Sequence, residues 1–370
     1  MGHPYVTPTR RPVRIGYFTD ASSYAGAEIA LSNLLVSLGP HVEATVIGND
    51  AAIVERLAAV RPGTRAVVLE RARGAHDLRG LLRYRRAFAA LSIEILQANL
   101  NWMPSCREAL LAARSLPGLR VIAVEHLPLD GVGLRSQLVK RLTAQGLSAH
   151  VAVGDSAARL VEQASRVKSG SVLTIHNGVV DHGVTAHEAH EDSPAIFGCL
   201  ARLDPVKGID VLLEALATVP EVVVEVAGAG DERAALVSQA HELGLDPRFT
   251  IHEWTDDPGR LLQTWDAYVL PSRAEGFPLS ILESMLAGLP VIATDVGSVR
   301  EAVIDGVTGF VVPPDDASAL ATAMALLGND RALRHEMGKA GRERVLEHFS
   351  LQGMAAAYED LYERVTRPGR

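Results

Sequence analysis

Short apolar runs alternate with helical periodicity along almost the whole chain. In the first half these runs predict buried strands at Val13–Asp20, Ala44–Gly48, Ala66–Glu70, Ile93–Asn99, Arg120–His126 and Ala149–Gly154. Between the first two strands, leucines recur with the i, i+3, i+4, i+7 spacing of an amphipathic helix and predict one over Glu28–Leu38. Alternating strands and helices indicate a mainly parallel sheet covered on both faces.

The hydrophobic period is lost over residues 180–194, which are rich in acidic residues and histidines. We interpret 181–194 as an interdomain linker. His187 and His190 form an H-x-x-H there, but a metal site would need further ligands and a fixed scaffold. The alternation then resumes, with strands predicted at Ala195–Arg202, Val222–Ala227, Phe249–Glu253, Ala267–Pro271, Pro290–Thr294 and Gly309–Val312.

These patterns predict a flexible tail at 1–12 and two Rossmann-like α/β domains at 13–180 and 195–350. A C-terminal helix within 351–370 is expected to cross back to the N-terminal domain. Ligands of open α/β sheets bind at the carboxyl ends of the strands. The two domains are therefore expected to face each other across a ligand-binding cleft.

Composition narrows the class of protein. The length of 370 residues, 48% of them hydrophobic, suits two domains. A net charge of −8 disfavours a nucleic-acid partner. Two cysteines, Cys106 and Cys199, lie in apolar segments and form no disulfide framework, which fits a reducing cytoplasm. No apolar run reaches the roughly 18 residues that a membrane span requires.

The strongest chemical pattern lies between a predicted strand and a predicted helix, over Arg273–Pro290. Glu275 and Glu283 are separated by seven residues, and Gly276 lets the backbone approach a ligand closely. The N–H groups of Leu279 and Ser280 would open a helix and favour a phosphate. Helix capping offers a second interpretation, because Ser280 precedes Glu283 by three residues and Ser272 precedes Glu275 by three.

This run resembles the E-x(7)-E motif of the family 4 retaining glycosyltransferases, which have the GT-B fold. Four further segments are similar to family motifs: Ala201–Gly208 to "GRLxxxKG", Thr174–Val179 to "IPNGVD", Ala25–Glu28 to "GGxE" and Val151–Ser156 to "VAVSE". Alanine stands in place of the usual first glycine at positions 25 and 201. The resemblance covers about residues 13–366 and is stronger in the C-terminal half.

The resemblance implies roles for particular residues. Arg202 and Lys207 would hold the donor diphosphate, Glu283 the ribose, and Glu275 the donor sugar, while His126 would face that sugar near the reaction centre. The donor-binding set is completed by Gly26 and by the turn and helix start at Gly276, Phe277, Leu279 and Ser280. Trp254 is as compatible with packing as with stacking on the base, and Asp20 ends the first strand, where it could line the cleft.

The implied activity is a retaining, metal-independent transfer of a hexose from a nucleotide diphosphate sugar to a hydroxyl acceptor. UDP is favoured over GDP as the nucleotide. No D-x-D metal motif occurs, and the two basic side chains with a helix start would neutralise the leaving diphosphate. Neither a cofactor nor a metal is therefore expected.

Two other classes remain open because fold does not dictate function. One is a non-catalytic sugar-nucleotide-binding protein, and the other is a sugar-nucleotide epimerase or a phosphorylase. Within the acceptor domain, Arg71–Arg86 is rich in arginine and is interpreted either as a solvated helix face or as a patch for an anionic acceptor or a membrane surface. The expected location is cytoplasmic, with peripheral contact at the inner face of the membrane as the alternative.

Overall fold

The computed structural model describes residues 11–74, 77–102, 105–127, 133–181, 183, 193–255 and 257–367, with only the backbone for 134–137. The described chain divides into two compact units. The N-terminal unit comprises the chain up to Val153, Ala157–Ile175 and the segment from Leu351 onward. The C-terminal unit comprises Gly154–Ser156 and His176–Ser350. The predicted tail (1–12) and linker (181–194) fall largely outside the described residues, as do His187 and His190.

The N-terminal unit is built on a parallel sheet whose described strands run in the order β3-β2-β1-β4-β5-β6-β7. The strands are β1 (Val13–Thr19), β2 (Val42–Gly48), β3 (Arg65–Val68), β4 (Ile95–Leu100), β5 (Arg120–Glu125), β6 (Ala149–Ala152) and β7 (Val172–Thr174). The helices that follow them are α1 (Gly26–Ser37), α2 (Ala51–Ala59), α3 (Leu78–Ala90), α4 (Arg107–Arg114), α5 (Leu134–Ala144) and α6 (Asp155–Ser165).

The C-terminal unit contains a second parallel sheet, in which the described strands run in the order β10-β9-β8-β11-β12-β13. Its strands are β8 (Ala195–Leu200), β9 (Val222–Ala227), β10 (Phe249–His252), β11 (Ala267–Leu270), β12 (Val291–Thr294) and β13 (Gly309–Val312). Its helices are α7 (Ile209–Leu216), α8 (Arg233–Glu242), α9 (Gly259–Leu262), α10 (Leu279–Leu286), α11 (Val299–Ala302), α12 (Ala317–Asn329) and α13 (Arg331–His348).

The predicted fold class of two Rossmann-like α/β domains is confirmed. Both sheets are parallel, and their central strands are buried on both faces because helices cover each side. Strand β1, which lies between β2 and β4 inside the first sheet, reads VRIGYFT, and all of it except Arg14 is buried. Such continuous apolar strands have no solvent face, which is why the sequence shows runs and not strict alternation.

The last helix, α14 (Leu351–Thr366), belongs to the N-terminal unit. Its Tyr362 hydroxyl donates to the Gln97 amide oxygen at 2.7 Å and accepts from the Tyr17 hydroxyl at 3.3 Å, all three side chains being buried. Glu359 of the same helix accepts the backbone N–H of Gly39 at 2.7 Å. These buried polar contacts fix the helix against β1 and β4, because leaving any one partner unsatisfied would cost about 1–3 kcal/mol.

Candidate functional site

The loops that follow β8 and β11 meet in the C-terminal unit. These strands are neighbours in the sheet, so their carboxyl ends open at the same edge. The Arg273 N–H donates to the Val206 carbonyl at 2.7 Å, which ties the two loops together. Gly208 has a φ of +65°, and a Cβ there would lie 2.1 Å from the Pro271 carbonyl oxygen. Only glycine therefore permits this close approach of the loops.

Lys207 and Glu275 form an ion pair at this junction. Lys207 Nζ lies 2.6 Å from Glu275 Oε1, and the Ser272 hydroxyl donates to the same oxygen at 2.7 Å. The side chains are 17% and 8% exposed, so solvent screens the pair only weakly. An ammonium carries three donors, so Lys207 can keep this contact and still donate to an anion.

Arg202 lies in the same loop but has a different partner. Its Nη2 pairs with Asp204 Oδ2 at 2.7 Å, and its side chain is 53% exposed. No described hydrogen bond or ion pair joins Arg202 directly to Lys207 or Glu275. The guanidinium thus lies at the solvent side of the site, where a ligand can compete for it.

A second arginine, which the sequence analysis assigned no role, braces these loops. Arg273 donates to both carboxylate oxygens of Asp210, at 2.9 and 2.7 Å, and to Asp315 at 2.6 Å. Hydrogen bonding to Arg273 lowers the pKa of Asp210 below its usual value. Arg273 immediately precedes the two-glutamate motif, and this position is the signal that could have suggested its bracing role.

Helix α10 begins at Leu279 with Pro278 as its N-cap, and no side chain caps it. The capping box between Ser280 and Glu283, offered as the alternative interpretation, does not form. Proline holds the cap position, so Ser280 lies inside the first turn, and its hydroxyl bonds to the buried Tyr268 hydroxyl. Ser272 does bond to Glu275, but within the loop and not at a helix start. The N–H groups at the start of α10 therefore remain available to a ligand.

Glu283 lies on α10 without a compensating charge. Burial raises the pKa of its carboxyl from 4.5 to about 7. Within the described part of the chain, no side chain or backbone group hydrogen-bonds to this carboxyl. A partly buried acid that has no hydrogen-bond partner in the free protein suits a site whose partner arrives with a ligand.

The turn at Gly276 and Phe277 is held from two sides. Gly297, with a φ of +54°, packs so closely that a Cβ would lie 1.9 Å from the Glu275 carbonyl oxygen, and the Ser298 N–H donates to the Gly276 carbonyl at 2.9 Å. The buried Asn177 side chain donates to the Phe277 carbonyl at 2.9 Å. Asn177 belongs to the "IPNGVD"-like segment, whose structural task here is to fix this turn.

Glu301 organises a neighbouring part of the same unit. It accepts the N–H groups of Asp155 and Ser156 at 2.8 and 2.9 Å and contacts His176 Nε2 at 2.7 Å. Burial alone would raise the pKa of Glu301, but these hydrogen bonds lower it to about 2. Glu301 carries no signal in the sequence, because its contacts with Asp155, Ser156 and His176 each span more than 120 residues.

The two remaining predicted site residues, His126 and Gly26, belong to the N-terminal unit. His126 follows β5, its Nε2 is buried, and it has no hydrogen-bond partner among the described residues. Burial lowers the pKa of His126 to about 4, so the ring is neutral at pH 7. Gly26 begins α1, and a Cβ there would meet nothing within 4 Å. The open space beside Gly26 leaves room for a ligand.

Glu125, the residue before His126, belongs to a buried cluster of ionisable side chains. Glu125 Oε1 contacts Lys140 Nζ and, at 2.7 Å, His150 Nε2; all three side chains are buried. Burial lowers the pKa of His150 to about 3, so that ring is also neutral at pH 7. Burial also lowers the pKa of Lys140 to about 7, and the contact between Lys140 and Glu125 gives each of these buried side chains the polar partner that burial requires.

The arginine-rich segment is only partly helical, contrary to the interpretation of Arg71–Arg86 as one helix face. Asp77 caps α3 by accepting the Gly80 N–H at 2.9 Å, so Arg71 and Arg73 precede the helix in a loop. Asp20 caps a different helix, accepting the Cys106 N–H at 2.7 Å at the start of α4. Trp254 is 43% exposed after β10.

Among the described residues, no group of three or more histidine, cysteine, aspartate or glutamate side chains is arranged to hold a metal ion. Within the same ranges, no helix is long and apolar enough to cross a membrane.

Known proteins share both the fold of this chain and the sequence of its C-terminal half. Residues 185–344 match the model of the family "Glycosyl transferases group 1". The resemblance stated from the sequence is thereby confirmed over this segment. A solved structure of Anabaena HepE in complex with UDP and glucose superposes with a TM-score of 0.81 over 95% of this chain and 100% of that chain, at 20% identity. The GT-B fold is thus confirmed.

Curated relatives are similar over part of their length. Glycogen synthase of Mycobacterium tuberculosis is 33% identical over 183 residues, which are 48% of this chain and 44% of that protein. Phosphatidyl-myo-inositol mannosyltransferase of Mycobacterium leprae is 38% identical over 179 residues, 46% of each chain. The match spans about half the length of these relatives.

Proposed function

We propose that this protein is a retaining, metal-independent glycosyltransferase that moves a hexose from a nucleotide diphosphate sugar to a hydroxyl acceptor. The observation that carries the proposal is the Lys207–Glu275 pair at the joined carboxyl ends of β8 and β11. It combines a cation for phosphate and a carboxylate for sugar hydroxyls beside an uncapped helix start.

Each side chain then has a task. Lys207 and Arg202 bind the diphosphate, the latter by leaving Asp204, and the first N–H groups of α10 donate to the same oxygens. Glu275 accepts from the sugar hydroxyls, and Glu283 accepts from the ribose. Donor binding would also supply the partner that the partly buried Glu283 carboxyl lacks. UDP is the favoured nucleotide, since the similar HepE structure holds UDP and glucose.

The proposed sugar transfer needs no nucleophile from the protein. The bond between the anomeric carbon and the diphosphate oxygen breaks, and its electrons leave on the nucleoside diphosphate. The acceptor oxygen bonds to the same face of the oxocarbenium-like carbon, and its proton passes to the departing phosphate. Lys207 and Arg202 stabilise the charge that develops on that phosphate, which is where fixed cations lower a barrier most. His126, neutral at pH 7, is proposed to face the donor sugar.

Substitution of the paired residues tests the assignment. Lys207→Met and Glu275→Gln are each expected to reduce turnover of UDP-hexose at least 100-fold, since each removes a transition-state contact of about 3 kcal/mol. Lys339→Met, which alters an exposed lysine on α13, and Glu336→Gln on the same helix are the matched controls. Activity near wild type in Lys207→Met or Glu275→Gln would refute the roles.

Three measurements on the wild-type protein separate this activity from its alternatives. Release of UDP from UDP-hexose, with and without acceptors, distinguishes a transferase from a protein that only binds the nucleotide sugar. NMR of the product's anomeric proton reports retention or inversion. Unchanged turnover in EDTA supports metal independence, whereas loss that Mg²⁺ restores would contradict it.

We also propose that α3 contacts an anionic membrane surface. Leu78 and Leu82 are 70% and 48% exposed on one face of this helix, and the exposed Arg85 and Arg86 flank them. Apolar side chains between cations suit the interface of an anionic bilayer. Leu82→Ser should weaken co-sedimentation with phosphatidylglycerol vesicles, while Leu326→Ser, at a similarly exposed leucine on α12, should not. Absence of vesicle binding by the wild type at low salt would remove this proposal.

A further inference from the structure

The ring of Phe277, in the turn between β11 and α10, is enclosed by two other rings. Phe277 is buried, and its ring centroid lies 4.8 Å from that of His176 and 5.1 Å from that of Phe349. The His176 and Phe349 rings also contact each other edge-on, with their centroids 5.4 Å apart. Side chains packed this closely cannot shift one at a time. The place of the His176 ring therefore sets the place of the Phe277 ring.

The imidazole of His176 is in turn fixed by Glu301. Nε2 lies 2.7 Å from Glu301 Oε2, and an ionised carboxylate only accepts hydrogen bonds, so Nε2 is the donor. In the segment that resembles "IPNGVD", His176 occupies the position of the proline. A proline ring has no group that could donate to Glu301. This anchor is therefore a feature of this chain and not of the motif.

The backbone of the same turn is fixed as well, and it keeps one donor for a ligand. The Ser298 N–H donates to the Gly276 carbonyl, and the Asn177 amide donates to the Phe277 carbonyl, both at 2.9 Å. The Gly276 carbonyl and the Phe277 N–H belong to one planar peptide unit and point in opposite directions. The bond from Ser298 thus also fixes the direction of the Phe277 N–H, for which the described part of the chain provides no acceptor.

We propose that His176 is a positioning residue for the donor sugar, acting through the Phe277 ring on the turn that carries Glu275. The proposal rests on the glycosyltransferase function proposed above. In that function Lys207 and Arg202 bind the diphosphate, whereas Glu275 and the Phe277 N–H bind the hexose. A displaced turn therefore slows transfer of the sugar but leaves the cations that bind the nucleotide in place.

Two substitutions separate the ring of His176 from its hydrogen bond. His176→Gln keeps a donor for Glu301 but has no ring, and His176→Phe keeps a ring against Phe277 but has no donor. His176→Gln should lower kcat about 10- to 100-fold, because reacting groups displaced by about 1 Å lose their alignment. His176→Phe should stay within about 3-fold of wild type, because a ring of similar size preserves the packing.

The matched control is His348→Ala. His348 also packs against Phe349, with the ring centroids 6.2 Å apart, and no described ring contact joins it to Phe277. Its kcat should equal that of the wild type. Turnover is measured as release of UDP from UDP-glucose, UDP-galactose and UDP-N-acetylglucosamine, with glucose as the acceptor and with water alone. Calorimetry with UDP alone reports the nucleotide contacts, so the Kd of His176→Gln for UDP should stay near the wild-type value.

The outcomes distinguish this role from the function on which it rests. If His176→Gln retains wild-type turnover, or if His176→Phe loses as much as His176→Gln, the ring does not position the turn and the inference fails while the function stands. If UDP binding weakens as much as turnover falls, the substitution has disturbed the whole unit, and the inference fails in the same way. If the wild type releases UDP from none of the three donors, the proposed function itself fails, and the role of His176 fails with it.

Discussion

The partly buried carboxyl of Glu283 destabilises the fold by an amount that one substitution can measure. Its pKa rises from 4.5 to about 7 on folding, because burial disfavours the ionised form. Each unit is worth about 1.4 kcal/mol, so the full penalty is about 3 kcal/mol. Between these two pKa values the folded chain holds a proton that the unfolded chain has lost. The unfolding free energy therefore falls as the pH rises from 4.5 to 7.

Glu283→Gln removes this titration while keeping the shape of the side chain. At pH 5 most of the penalty is still absent, and at pH 8 it is complete. The stability of Glu283→Gln relative to wild type should therefore increase by about 2–3 kcal/mol between pH 5 and pH 8. For a unit of this size, that corresponds to a gain in relative melting temperature of roughly 5–10 °C.

The assay uses tryptophan fluorescence during thermal unfolding. Trp254 and Trp265 belong to the C-terminal unit, and a Trp102→Phe background removes the signal of the N-terminal unit. Glu336→Gln, at an exposed carboxyl, is the control and should show no such pH-dependent gain. If the difference between Glu283→Gln and wild type is the same at pH 5 and pH 8, the reasoning from burial is wrong. The variant should also bind UDP-sugar more weakly, since an amide is a poorer acceptor for the ribose hydroxyls than a carboxylate.

Three further predictions concern stability. Gly297→Ala should lower the melting temperature and UDP affinity far more than Gly306→Ala, because both have positive φ but only at Gly297 would the added Cβ meet backbone; thermal shift with and without UDP measures both. Glu301→Gln should lower the unfolding free energy by about 2–3 kcal/mol at pH 7 and by little near pH 2. Hydrogen bonds hold the folded pKa of Glu301 near 2, so the stability that its carboxylate contributes is lost as the pH falls from 4.5 to 2. Urea titrations at pH 7 and pH 2 measure the difference. Lys140→Met should lower the unfolding free energy by about 3–5 kcal/mol, because it leaves the Glu125 carboxyl buried without its partner. In a double-mutant cycle, adding Glu125→Gln should restore part of this loss. If the two losses simply add, the side chains are not coupled.

The strand positions could be predicted because both sheets are buried on two faces. A strand such as β9 is a short apolar run between turns, and its bounds at Val222–Ala227 agree with the sequence pattern. Shorter strands carry less signal: β7 has three residues and was not predicted. The arginine pattern does not reveal where α3 starts, because it continues upstream of Asp77, whose side chain caps the helix.

The candidate site was predictable where its residues are neighbours along the chain. Glu275 and Glu283 stand in one motif, and Lys207 follows the strand beside it in the sheet. The contacts that fix the motif were not predictable, because they join distant segments: Asn177 to Phe277 and Gly297 to Glu275. The side chain of Ser280 fits a capping pattern in sequence, yet Pro278 takes the cap position and leaves that hydroxyl to Tyr268.

The place of α14 in the N-terminal unit has a consequence for biosynthesis. The Tyr362 hydroxyl forms a buried hydrogen bond with Tyr17, a residue that is translated 345 positions earlier. The C-terminal unit ends at Ser350 and can close its core as soon as that residue has emerged. The unit that is translated first therefore cannot complete its buried contacts until the last helix has been made.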